Sequence, residues 1–495
     1  MKILRNAAAQ LVGLPVSWAL SFIFLAVVPR ALGPGELGRW SVAWAVCLVA
    51  RSVLDTGTTT VLWKDISRRP ERASVYLSSA IALRILLTVP LLLGVAGFAR
   101  LAGYAPQTRL VLLLIALATA VNTVAAAATF TLQALERMHI NAIAGVLNNA
   151  VLSGLAVLVV LAGYRQAADV AWVAVVAAVV AAAYQFWKLR DLAPHRARPE
   201  WHVIRHYLVA GVPYAVGAAT LSLYVWIDGI LLSMMATSAE VGQYGAATQL
   251  IATMGFLPSA VSAAVFPTLA RNFLDDRERM VAVAERSLRI LIMLSLPMAA
   301  GLALTARSLV GALYGNGYGP TAVVLEILAV TLVPVYIATL LGTVMVTNDR
   351  QNAWTWMTAG LAVANIGLNL ILIPTFHRMG QHGGYAAATA VLITDLATAV
   401  GVLVLASPAI RGAVARCGPD GLRSLLATLG MAALVWPVRD QMFLIPVAVG
   451  AAAYVCLGGV LRVVPPAELE VLKQVLSRTA ARMTWRRRLA RVESG

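Results

Sequence analysis

Charge is scarce in this 495-residue chain: Asp, Glu, Lys and Arg make up 12% of it, where a soluble domain carries about 25%. That excludes most cytosolic enzymes and every disordered class. Cysteine is scarcer still, at three residues. Three cannot build a disulfide framework. Cys47 and Cys456 fall in apolar runs and Cys417 in a basic stretch, which excludes a metal cluster. Lysine occurs only at positions 2, 64, 188 and 473, so arginine carries nearly all the positive charge. No Asp-x-Asp string occurs anywhere, which counts against a metal-dependent glycosyltransferase. What remains is apolar: 60% of the residues are hydrophobic and the mean hydropathy is +0.80. An all-α polytopic membrane protein is the expectation.

A bilayer core needs about 20 apolar residues per helix. Fourteen stretches meet that length closely enough: 11–29, 40–63, 74–99, 110–134, 142–163, 168–187, 207–235, 244–270, 288–311, 321–347, 352–373, 383–406, 422–438 and 442–463. With the N-terminus inside, the cytosolic segments hold 29 of the 39 basic residues. The outer segments hold eight: Arg30, Arg39, Arg100, Arg109, Arg165, Arg307, Arg378 and Arg439. Arg51 and Arg84 stay within spans. That split predicts cytosolic N- and C-termini. The net charge of +17 therefore meets anionic lipid headgroups at the inner face of a cell membrane and no nucleic acid. In the tail after Pro465, Leu469, Leu472, Val475, Leu476, Thr479 and Met483 recur at three- and four-residue spacing among arginines. It reads as a basic amphipathic helix on the inner leaflet.

Two strings recur at an offset of about six spans. Glu36-Leu37-Gly38-Arg39-Trp40 echoes Glu240-Val241-Gly242-Gln243-Tyr244, and Leu83-Arg84-Ile85-Leu86-Leu87 echoes Leu288-Arg289-Ile290-Leu291-Ile292. Six is even, so both halves enter the membrane in the same direction, a transporter design in which substrate binds between repeats. The expected organisation is a six-helix lobe at 1–190, a linker at 191–206, a second six-helix lobe at 207–407, an added helix pair at 408–464 and the basic tail at 465–495.

The ordered strings carry a family resemblance. Pro29-Arg30-Ala31-Leu32-Gly33, Gln133-Ala134-Leu135-Glu136-Arg137-Met138, Gly211-Val212-Pro213, Trp226-Ile227-Asp228, Val265-Phe266-Pro267 and Asn369-Leu370-Ile371-Leu372-Ile373-Pro374 resemble the polysaccharide (O-antigen type) flippases. That family belongs to the multidrug/oligosaccharidyl-lipid/polysaccharide exporter superfamily. The resemblance implies a transporter that flips a polyprenyl-pyrophosphate-linked oligosaccharide to the outer leaflet, with polysaccharide assembly proteins as partners. A multidrug and toxin extrusion antiporter shares the fold and stays open. An integral-membrane polymerase or glycosyltransferase is the rival from another class, although the longest outer loop has only about eleven residues.

Ionisable groups inside a span cost about 3 kcal/mol each and mark function by default. Arg51 is eleven residues from Trp40 and thirteen from Lys64, near the midplane. Asp55 lies four residues on and shares its face, as does Trp44. These, with Arg84 and Asn122, are the candidate substrate-binding residues. A guanidinium suits a pyrophosphate because its planar fork pairs with phosphate oxygens bidentately. Asp55 could equally just neutralise Arg51. In the second half Asp228, Asn365, Asn369, Asp395 and Thr389 offer hard oxygen ligands at one depth. They are the candidate cation-binding set for Na⁺ or a proton. Lipid II flippases are thought to hold a cation at similar helices. No catalytic residue, cofactor or metal centre is expected.

Overall fold

The computed structural model describes residues 2–190, 192 and 197–463. The expected tail helix at 465–495 lies outside them. The described chain is almost wholly helical, and no strand occurs among the described residues. Fifteen helices follow in order: α1 (Lys2–Arg68), α2 (Ala73–Leu101), α3 (Pro106–Ala134), α4 (Met138–Leu161), α5 (Ala167–Leu189), α6 (Trp201–Met235), α7 (Ser238–Met254), α8 (Phe256–Asp275), α9 (Arg277–Tyr314), α10 (Gly319–Thr347), α11 (Gln351–Arg378), α12 (Gly383–Leu405), α13 (Pro408–Arg416), α14 (Gly418–Val435) and α15 (Leu444–Val460).

Among the described residues, eleven helical stretches are long and apolar enough to cross a membrane, and the bent α6 makes a twelfth. The 67 residues of α1 would measure about 100 Å if straight, three times a bilayer core. The helix breaks at Gly33, whose φ of 75° lies where an L side chain is strained. Counting its two arms separately and adding the 17-residue α15 gives each of the fourteen expected stretches a helix. The chain is an all-α polytopic membrane protein.

Two compact units emerge. One takes in the described residues up to Thr253 with Leu309–Leu328 and Asn352–Thr398. Here α1 packs on α3, α4 and α6, and α3 on α5. Alanine explains the last pairing: Ala116, Ala120 and Ala127 of α3 and Ala171, Ala174 and Ala178 of α5 are all buried. Small side chains let membrane helices approach until backbone and methyl groups touch, which replaces the absent hydrophobic drive. The second unit takes in Met254–Ser308, Ala329–Gln351 and the described residues from Ala399. Within it α14 packs on α15.

The repeated string has a structural meaning inside the first unit. Glu36 accepts the backbone N–H of Ala167 at 2.8 Å, at the N-terminus of α5. Its repeat equivalent Glu240 accepts the N–H of Gly383 at 2.6 Å, at the N-terminus of α12. Each carboxylate thus meets unsatisfied N–H groups and the positive end of the helix dipole. The glycines meet each other. A β-carbon on Gly38 would collide with the carbonyl of Ser238, and one on Gly242 with the carbonyl of Pro34. Residues 34 and 38 plus 204 are 238 and 242, so the two collisions are reciprocal. A two-fold relation between repeats produces that pattern.

Proline breaks are paid for by tyrosines. Pro258 and Pro297 remove the N–H partners of the carbonyls four residues earlier, Met254 and Met293. The Tyr336 hydroxyl donates to the Met254 carbonyl at 2.8 Å. The Tyr454 hydroxyl donates to that of Met293 at 2.7 Å. Both contacts lie in the second unit.

Candidate functional site

Two polar clusters stand out within the first unit. The first surrounds Arg51. Its side chain lines a cavity of about 50 Å³ with Trp44, Asn122, Thr119 and Asn148. Three of the five substrate candidates therefore converge from α1 and α3. The cavity also gains Asn148 of α4, which sequence reasoning passed over because it lies in an unremarkable apolar run. Trp44 stacks on Trp40 with ring centroids 5.8 Å apart, which fixes its indole at the cavity wall. The guanidinium, amides, hydroxyl and indole together suit a polar, anionic or glycosidic group. The side chain of Asp55 lies outside the described residues.

Arg84 takes a different position. It is fully buried, donating to the hydroxyl of Thr58 at 3.0 Å and to the carbonyl of Thr123. Those partners tie α2 to α1 and α3. A buried guanidinium that donates to two neighbouring helices holds them together, and the contacts place it one residue from Asn122 without putting it on the cavity wall.

The second cluster surrounds Asp228, which is buried. Asn369 donates to its carboxylate at 2.7 Å, and also to the side-chain oxygen of Asn365 at 3.2 Å. The Asn365 amide in turn donates to the Thr394 hydroxyl at 3.4 Å. Asn365 and Asn369 are both buried. Helices α6, α11 and α12 thus bring three of the five cation candidates together. The side-chain oxygen of Asn369 is shielded from solvent and has no hydrogen-bond donor. A buried carbonyl oxygen beside a carboxylate, lacking a donor, presents a lone pair to any cation that enters. The oxygen set suits a monovalent ion, since a single carboxylate gives little charge for a divalent one.

Asp395 stands beside this cluster. Tyr224 donates to its carboxylate at 3.0 Å, and Thr398 lies 3.4 Å from the same hydroxyl. The buried Tyr244 is within electrostatic reach of both carboxylates. Thr389 is not brought in: its hydroxyl donates to the Tyr385 carbonyl one turn back on its own helix. The threonine that reaches Asn365 is Thr394. Depth arithmetic places Thr389 about 8 Å along α12, but the five residues from there to Thr394 rotate the side chain by about 140°. The direct neighbour of Asp395 in sequence was the available signal.

A third network lies at the end of the first unit, around His382 in the loop that joins α11 to α12. The Nδ1 of His382 accepts the N–H of Gly384 at 3.0 Å, so its Nε2 carries the proton and donates to Gln243 at 2.6 Å. Gln243 donates to the Gly317 carbonyl at 3.1 Å and accepts from Thr321 at its own carbonyl at 3.0 Å. His377 meets Glu240 at 3.0 Å. Burial pulls the His382 pKa below its ordinary value, with His377 adding to that and Glu240 opposing it.

Membrane-length helices enclosing buried ionisable groups define the class: an all-α polytopic membrane protein with polar sites inside its bundle. The family model described as polysaccharide biosynthesis protein matches residues 3–273. The chain belongs to that family. It is 24% identical over 376 residues to a protein of Haloferax volcanii named "Probable low-salt glycan biosynthesis flippase Agl15", covering 75% of this chain and 77% of that one. Its fold is similar to that of the lipid II flippase MurJ in an inward closed conformation, with a TM-score of 0.74 at 15% identity, covering 92% of this chain and 98% of that one. It is also similar to an inward-facing multidrug resistance MATE family transporter, with a TM-score of 0.65 at 14% identity, covering 84% and 98%.

Proposed function

We propose that this protein flips a polyprenyl-pyrophosphate-linked oligosaccharide from the cytosolic to the outer leaflet of the cell membrane, by alternating access and without enzymatic chemistry. The observation that carries the reading is the cavity where Arg51, Asn122, Asn148 and Trp44 meet among the membrane-spanning helices. Arg51 would pair with the pyrophosphate as the headgroup leaves water, offsetting part of its desolvation. The amides would hydrogen-bond sugar hydroxyls, and Trp44 offers a flat apolar face to a pyranose ring. Family membership and the curated relative support the same reading. A multidrug antiporter for organic cations fits less well, because a guanidinium on the cavity wall repels a cationic substrate. The basic-residue bias supports cytosolic termini.

The Asp228 cluster would couple the movement to an ion. Asp228, Asn365 and Asn369 would hold Na⁺ by their oxygens, or Asp228 alone would carry a proton. Ion binding to one conformation of the lobes biases their equilibrium by its differential affinity. Flipping in proteoliposomes with imposed Na⁺ or proton gradients tests this. Wild-type protein should respond to one gradient, and Asp228→Asn should flip at a gradient-independent basal rate. Full gradient response in Asp228→Asn would remove the site from the mechanism.

A further inference from the structure

Three connections meet in the second unit: α8 to α9, α10 to α11, and α12 to α13. They enclose a cavity of about 170 Å³. Its polar wall is Arg277, Asn348, Arg350 and Ser407, and its apolar wall includes Phe273 and Met345. The cavity belongs to neither cluster described above.

Two of its lining atoms are unsatisfied. The Asn348 side-chain oxygen and the Ser407 hydroxyl are both shielded from solvent and lack any hydrogen-bond partner. Ser407 is the N-cap residue of α13, yet its hydroxyl makes no capping bond. An N-cap serine ordinarily accepts a first-turn N–H. Here Pro408 at the first helical position has no N–H, and the N–H groups of Ala409 and Ile410 precede the first helical bond, from Arg411 to Ser407. The hydroxyl proton and the N–H of Ile410, the one of these two residues that lines the cavity, are therefore available to a ligand. Asn348 offers an NH₂ group to the same space when its amide is turned by half a rotation.

Two guanidiniums complete the donor set. Arg350 donates one N–H to the Leu405 carbonyl at 2.8 Å, which anchors the group at the rim and leaves its other donors free. Arg277 is exposed and opens α9. The acids nearest in sequence, Asp275, Asp276, Glu278 and Asp349, do not line the cavity, and Asp276 is engaged with the N–H of Arg279 at 3.0 Å. Donors without matching acceptors call for an anion rich in acceptor oxygens, and paired guanidiniums favour phosphate. The apolar wall leaves room for an organic substituent on that phosphate.

We propose that this cavity binds a phosphate group. The source is either a phospholipid headgroup at the membrane surface or a free phosphate from solution. The site stands apart from the transport reading and does not depend on it.

Thermal stability of the full-length protein in a phosphate-free maltoside detergent separates the sources. One arm titrates inorganic phosphate against chloride at matched ionic strength. The other titrates short-chain phosphatidic acid against the corresponding diacylglycerol. A saturable rise in melting temperature with inorganic phosphate identifies a free anion, and a rise with phosphatidic acid alone identifies a headgroup. In either arm Arg277→Gln, an exposed position that leaves folding intact, should weaken binding by about tenfold. Arg277→Gln combined with Arg350→Gln should abolish it, while Arg271→Gln, outside the cavity, should leave it unchanged. No saturable shift in either arm, or equal binding by wild type and Arg277→Gln, would overturn the proposal.

Discussion

Arg51 and His382 show how much one side chain can be asked to do in this chain. If Arg51 grips a pyrophosphate, then Arg51→Lys keeps the charge and loses the two-pronged geometry, and flipping should fall by roughly tenfold. Arg51→Ala should fall further, with protein level and melting unchanged. Surface glycan at equal protein level is the readout, and recovery of function in Arg51→Ala combined with Asp55→Ala would reduce Arg51 to a partner of Asp55. His382 makes a pH prediction. Burial lowers its pKa below the ordinary 6.5, so the folded state favours neutral imidazole and the unfolded state binds the proton more readily. The stability it contributes is therefore present above pH 6.5 and is lost as pH falls through that value and the folded one. Protonation of Nδ1 also forfeits the Gly384 bond. The melting difference between wild type and His382→Gln should shrink on acidification, and a difference constant with pH would contradict the account. Arg51, Asp228 and the two asparagines were legible because ionisable and amide groups stand out against an apolar background. The i, i+4 spacing of Asn365 and Asn369 placed them on one face. Asn148, Thr394 and Tyr224 were not legible, because which helices adjoin is decided by packing, and hydroxyls and lone amides are tolerated anywhere in a span.

The helices of this protein are joined by devices that sequence pattern announces only in part. The echo of Glu36-Leu37-Gly38 at Glu240-Val241-Gly242 is visible as a repeat, whereas its purpose lies in the tertiary packing: the glutamates cap α5 and α12, and the glycines admit a backbone crossing. Gly38→Ala or Gly242→Ala should therefore be strongly destabilising to this arrangement, since each methyl meets backbone that cannot yield. Melting in detergent should fall sharply for both, while Gly94→Ala, where an added methyl meets nothing within 4 Å, should be close to neutral. Equal melting of all three variants would deny the close approach. The tyrosines at proline breaks make a second element-scale case. Tyr336→Phe and Tyr454→Phe each leave a carbonyl inside the helix bundle without its donor, which costs about 1–3 kcal/mol where the carbonyl is shielded from water. Melting in detergent should drop for both, while Tyr214→Phe, at an exposed hydroxyl-bearing residue, should be neutral. Prolines in spans were plain in the sequence; that a tyrosine from another helix answers two of them was not.

At the scale of the whole molecule, composition and hydropathy were enough to establish an all-α membrane protein with about fourteen helices, because a bilayer admits few solutions for a chain with this little charge. The split into α1's two arms follows from one glycine with a positive φ, a detail the hydropathy pattern reflects only as a gap between apolar runs. The central claim is directional lipid transport, and it is tested most directly by asking which leaflet holds the lipid-linked oligosaccharide. Spheroplasts of the native host depleted of this protein, with no paralogue present, should accumulate oligosaccharide that a membrane-impermeant glycosidase cannot reach until the membrane is opened, and Arg51→Ala expressed at the wild-type level should behave as the depleted strain. Oligosaccharide fully accessible from outside in the depleted strain would contradict the account.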